Sequence, residues 1–158
     1  TLRLDLEGPA DVTPLGDLGD LETLELSPVQ ADDVTALARL EKLTDLTIES
    51  DKLTDLSPLR GLTHLERLRV HGARVTDVGP LASLAKLRVL ELYSIAATDP
   101  SPIADLPALE SASLYGARFP RASVEAIMKR IGGCTSETCG HWRSQRAHYR
   151  RSFRAPER

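Results

Sequence analysis

Cysteine is nearly missing from this chain: Cys134 and Cys139 are the only two in 158 residues. Two are too few to staple a fold, and they leave the redox compartment open. Aromatics are scarce as well, with three Tyr, two Phe and one Trp. No apolar run approaches the roughly 18 residues of a membrane helix. The opening "TLRLDLEGPA" lacks the charged-then-apolar layout of a signal peptide, so the cytoplasm is expected over secretion. Catalytic signatures are missing too: no glycine-rich phosphate loop, no HExxH, no GxSxG and no CxxC. His64, His71, His141 and His148 sit in no recurring nucleophile–base arrangement. The expectation is therefore no enzyme, no cofactor and no small-molecule substrate.

What is present is aliphatic and ordered. The stretch "LTDLSPLRGLTHLERLRV", Leu53 to Val70, places Leu or Val at 53, 56, 59, 62, 65, 68 and 70. Neither a helix stripe nor a strand alternation gives steps of three followed by a step of two. The pattern belongs to a longer repeat: Leu4, Leu26, Ile48, Val70, Leu92 and Leu114 are each 22 residues apart. Leu2, Leu24, Leu46, Leu68, Leu90 and Ala112 keep the same period, as do Leu18, Leu40, Leu62, Leu84 and Leu106. A fixed period of this length is the mark of a solenoid. The two-residue step is a short strand with alternate side chains on one face. The three-residue steps suit a 3₁₀-like return path, where i and i+3 point the same way. One such coil has no inside, so stacking is what buries the leucines. Each fully buried aliphatic contributes roughly 1.5–3 kcal/mol, most of it offset by chain entropy.

Turn chemistry fits the return path. Thr13-Pro14, Ser57-Pro58, Gly79-Pro80 and Ser101-Pro102 share one repeat position, with Thr35-Ala36 as the exception. Pro suits the first helical residue and Ser or Thr its cap. Asp11, Asp33, Asp55, Asp77 and Asp99 recur just before these pairs. Their constant place beside a turn assigns them to backbone hydrogen bonding rather than to catalysis or a calcium ladder. After Leu114 the period stops, and "SVEAIMKRIGG" predicts an amphipathic helix capped by Ser123 and ended by Gly132. The expected organisation is a solenoid over 1–118, a capping helix over 119–133 and a tail over 134–158.

Segments such as "LEKLTDLTIESDKLTDLSPLRGL" and "LTHLERLRVHGARVTDVGPLASL" resemble leucine-rich repeats of the short 22-residue class found in internalins and in a phosphatase-regulator subfamily, a bacterial type. The resemblance implies an α/β solenoid: a right-handed superhelix with a parallel sheet on its concave face and 3₁₀ or short helical turns on its convex face. It implies binding rather than catalysis. One position departs from the family, which usually keeps Asn three residues after the second strand aliphatic. Here that place holds Glu7, Val29, Asp51, Ala73, Ile95 and Ala117.

The residues flanking the inward aliphatics of each strand face solvent on the concave side. Arg67, Arg69 and His71 form a basic bar across the fourth strand, with Asp45 and Glu49 on one side and Glu91 on the other. His71, Tyr93 and Tyr115 make a ladder of rings down one column. Tyr and Arg are enriched in interface hot spots, so these eight residues are the candidate partner-binding surface. The same residues also read as an ordinary solvated sheet whose ion pairs are worth little. Two functional classes follow. One is a protein-recognition module, a sensor or docking domain within a larger protein. The other is a structural or autoinhibitory spacer contacting that protein's other domains. The lack of an initiator Met, and of a coil before Leu2 and Leu4, supports the expectation of a C-terminal portion of a longer chain.

The tail is unlike the rest. Residues 140–158 hold six Arg against one Glu, a balance of +5 in a chain whose total is −3. Trp142, Tyr149 and Phe153 lie among those arginines. Such a segment can stack on nucleic-acid bases or settle on an anionic membrane. Packing onto the acidic solenoid and disorder are the other readings. Cys134, Cys139, His141 and His148 are four zinc-type ligands, but C-x₄-C-x-H-x₆-H is not a finger spacing. Two free thiols, a Cys134–Cys139 disulfide and a zinc site all remain open from the residues.

Overall fold

The computed structural model describes residues 1–132 except Ala10 and Ala73, with residues 6–9 described by their backbone. The tail from 134 onward, with its cysteine, histidine and aromatic readings, lies outside the described residues. Six strands form one parallel sheet in chain order: β1 (Leu2–Pro9), β2 (Thr23–Gln30), β3 (Asp45–Glu49), β4 (Arg67–His71), β5 (Val89–Tyr93) and β6 (Ser111–Ser113). The register between neighbours is one repeat: Leu24 pairs with Leu46, Leu46 with Leu68, Leu68 with Leu90 and Leu90 with Ala112. Between β1 and β2 this holds for Leu2 to Leu4 and then shifts, so that Leu6 pairs with Val29 and Pro9 with Gln30.

The three-residue spacing has its cause in the backbone. Leu59 N–H donates to the Leu56 carbonyl, Leu62 to Leu59 and Leu65 to Leu62, at 2.9 to 3.0 Å. The same chain of i to i−3 bonds runs Val34, Leu37, Leu40, Leu43 and Val78, Leu81, Leu84, Leu87. Each inward residue thus hands its carbonyl to the next inward residue, and a 3₁₀ winding points all of them at the sheet. Four of the turns are 3₁₀ helices, at Thr13–Asp17, Thr35–Arg39, Ser57–Gly61 and Gly79–Ser83. The fifth tightens into a four-residue α-helix, α1 (Ser101–Ala104).

The turn starts need a correction. Val12, Val34, Leu56 and Val78 occupy the cap positions, and no side chain caps from there. Ser or Thr is instead the first residue of the turn. The cap oxygen comes from the aspartate two residues before it: Asp11, Asp33, Asp55, Asp77 and Asp99 each accept from the N–H of Thr13, Thr35, Ser57, Gly79 or Ser101 at 2.7 to 2.9 Å. A carboxylate reaching forward two residues thus satisfies the orphan N–H at the start of each turn.

Stacking seals the core. Leu46, Leu68, Leu90, Leu59, Leu62, Leu81 and Leu84 are at most 2 % exposed. In the first coil Leu2, Leu4 and Leu21 are partly buried and Leu18 is exposed. Where the family's Asn would point inward, Val29 and Ile95 are buried among the leucines. One residue earlier in its coil, buried Ser50 donates its hydroxyl to the Ala31 carbonyl. The period also reaches further than Leu114: Phe119 stands 22 residues after buried Ala97 and is itself buried. The second helix, α2 (Arg121–Arg130), begins after Pro120 rather than at Ser123, which lies inside it. Val124 and Ile127 face the core, and Gly132 adopts the positive φ of a helix end.

Candidate interaction surface

The sheet carries the candidate residues because each strand exposes alternate positions. β4 turns Leu68 and Val70 inward and leaves Arg67, Arg69 and His71 outward, and all three are exposed. The 22-residue register then sets Asp45, Arg67 and Val89 side by side, and likewise Glu49, His71 and Tyr93. All eight residues singled out from the sequence lie on this face.

Their charges are matched strand by strand. The Arg67 guanidinium stands 3.5 Å from Asp45, and the His71 ring nitrogen Nδ1 stands 3.4 Å from Glu49. Arg69 reaches the other way, its Nε donating to Glu91 at 2.8 Å. The basic bar is therefore three separate pairs, two made with β3 and one with β5. A fourth pair, Arg3 with Glu25 at 3.4 Å, repeats the device between β1 and β2. Ser27, which the sequence reading left out, donates its hydroxyl to the second Glu49 oxygen. Its only sequence signal is its place in the column of Glu49 and His71.

Titration follows from these contacts. The Ser27 hydroxyl, and then His71, hold Glu49 below the usual carboxylate range. Burial pushes Glu91 up, but hydrogen bonds from Arg69 and Tyr93 outweigh it and the net shift is downward. The Glu91 hydrogen bond raises Arg69, while burial, with the Glu91 carboxylate beside it, raises Tyr93.

The rings are what the pairing leaves uncovered. Tyr93 donates its hydroxyl to Glu91 at 2.8 Å, which fixes the ring against the strand. His71 meets it edge-on, with centroids 5.8 Å apart and planes at 88°. Tyr115 stands beyond at 6.3 Å, tilted by 57°, and is 44 % exposed. Only one other large apolar or aromatic side chain among the described residues is as open, Leu18. Val89, Ser111 and Ser113 complete a nearly uncharged end of the sheet next to these rings. Such a face offers apolar contact and hydroxyls. Among the described residues no three His, Cys, Asp or Glu gather as a metal site, and no helix is long and apolar enough to cross a membrane.

No protein-family model matches the chain, and no curated protein does. Solved structures do. Internalin C2 from Listeria monocytogenes is 33 % identical, with a TM-score of 0.65 over 77 % of this chain. A second Listeria monocytogenes internalin, InlF, is 25 % identical with a TM-score of 0.55 over 76 %. A leucine-rich repeat protein of Leptospira interrogans gives 23 % and 0.61 over 73 %. The chain spans about half of internalin C2, 53 %, and 42 % and 31 % of the other two.

Proposed function

We propose that this chain, a leucine-rich repeat protein with the 22-residue internalin-like coil, is a protein-recognition module that binds through the concave face of its sheet. The observation that carries the reading is the ring column of His71, Tyr93 and Tyr115, the first pair edge-on at 5.8 Å and the second tilted at 6.3 Å, beside arginines each matched to a carboxylate. Aromatic rings already fixed by packing and a hydrogen bond lose little entropy on binding and present large contact area. The neighbouring pairs, Arg69–Glu91 and His71–Glu49, supply a polar rim. Arg67 and Asp45 lie at the edge of that rim. Six strands about 4.8 Å apart make a face about 24 Å wide, enough for an interface of about 800 Å² on one partner. The similarity to internalins supports this reading at the level of fold and sheet.

The reading is tested by placing a photo-crosslinking residue at position 115, and separately at position 60 on a 3₁₀ turn. Position 115 should capture one discrete protein and position 60 should not. Equal capture at both positions, or capture at 60 alone, would place the binding surface elsewhere. The spacer reading makes a different forecast: a solenoid that contacts only other domains of its own protein captures no separate protein through either face.

A further inference from the structure

A second surface lies away from the sheet, where α1 and α2 meet. A cleft of about 370 Å³ opens between them, floored by Ala104, Ala126 and Ile127 and edged by Asp99, Asp105 and Arg130. Small apolar side chains at 104 and 126 are what keep it open. Among the described residues neither Asp99 nor Asp105 has a basic partner in an ion pair. Asp99 already spends one oxygen on the Ser101 N–H, which orients the carboxylate at the rim.

We infer that this cleft is the docking site of the chain's own basic tail, with Trp142 seated on the alanine floor and Arg143 and Arg146 against Asp105 and Asp99. Three observations converge on that occupant. The described chain ends at Gly132, two residues after Arg130, which itself lines the cleft, so the tail leaves from the rim of the site. Residues 140–158 carry +5, and Asp99 and Asp105 against Arg130 leave the cleft lining at −1, so the segment and the surface attract. Trp142 is the chain's single tryptophan, and it is followed at once by Arg143 and three residues later by Arg146. An apolar floor between carboxylates matches an indole flanked by guanidiniums, since the ring fills the gap and the forks take the rim. The ten residues from Gly132 to Trp142 can span up to about 33 Å, far more than a return to the cleft requires. Such a tether holds the segment at an effective concentration of about millimolar, so a weak contact suffices. Docking here leaves the concave sheet uncovered, and the inference is independent of the ring-column reading.

Trp142 reports on the contact without any label. In the whole chain its emission should be blue-shifted and quenched by acrylamide several-fold less than in a synthetic peptide of residues 134–158. Ala126→Arg, which fills the floor and repels the tail, should return quenching to the peptide's value. Asp105→Lys, and separately Arg143→Glu with Arg146→Glu, should raise quenching without touching α2, so the test survives if Ala126→Arg disturbs the helix. Lys86→Glu, remote from the cleft, should change nothing. Two results overturn the inference: a wild-type tail quenched like the free peptide, or a protected Trp142 that Asp105→Lys and the arginine reversals leave protected.

Discussion

Asp55 begins a turn with one oxygen. Its Oδ1 accepts from the Ser57 N–H at 2.8 Å, and that bond holds the carboxyl below the ordinary aspartate value of 3.8. Asp99 is lowered for the same reason, and Asp11 and Asp33 by the Thr13 and Thr35 hydroxyls together with the N–H groups of those residues. Asp55→Ala should cost about 1 kcal/mol, as for the loss of a helix cap, while Asp55→Asn, which keeps an acceptor, should cost less. Urea unfolding of the three proteins at pH 7 checks the order. Because these carboxyls titrate lower in the folded state than in the unfolded one, their contribution is complete above 3.8 and is lost as pH falls through the folded values. Stability should thus be level from pH 7 down to the ordinary aspartate range and then drop. A profile still level below pH 3 would contradict the assignment. Gly72 makes a different residue-scale case. Its φ of +70 is left-handed, and an added Cβ would lie 3.7 Å from its nearest neighbours, so strain alone decides the outcome. Gly72→Ala should cost about 1–2 kcal/mol, and Gly116→Ala more, since there the Cβ would press on Ser94 at 3.3 Å.

At the level of elements, the strands were legible because period and alternation coincide. Leu68-x-Val70 can only be a strand if Leu24, Leu46 and Leu90 repeat it, and the register joins all of them. The 3₁₀ turns were legible from the step of three. The cap was not, because Ser57 and Asp55 are both good N-terminal acceptors, and only geometry decides between side chains two residues apart. Phe119 was missed because a phenylalanine replaces the aliphatics of its column after a gap in the leucine pattern. The start of α2 was placed at Ser123 by its capping type, but Pro120 fixes the chain direction earlier and the helix begins at Arg121. On the sheet face, the residue identities were readable and the pairings were not. Arg69 could have turned toward Thr47 or Glu91, and it takes the carboxylate. The stacking account makes its own forecast. Leu68, 1 % exposed between two coils, should cost about 2–5 kcal/mol on truncation to Ala. Leu2, only partly buried, should cost distinctly less. Equal losses in chemical denaturation would mean that burial between coils is not what holds the stack.

The whole molecule is a set of one-dimensional ladders. Of the eight ion pairs among the described residues, seven join residues 22 apart, so electrostatics repeats the register that the leucines set. Most are exposed and each is worth about 0–1 kcal/mol. On the concave face they match each arginine to a carboxylate, so that under the proposed reading shape and ring contact select the partner. Association should accordingly depend only modestly on salt, because each arginine of the face is already matched to a carboxylate. The most direct measurement is a calorimetric titration of the protein captured at position 115 with wild-type chain and with the Tyr93→Ala, Tyr115→Ala double variant. The account predicts a Kd weakened about 30-fold or more, in keeping with loss of a hot spot of about 2 kcal/mol. It predicts a Tm lowered by only about 2–4 °C, since both rings are at least partly exposed. An unchanged Kd for the folded double variant would contradict it and remove the ring column from the binding surface.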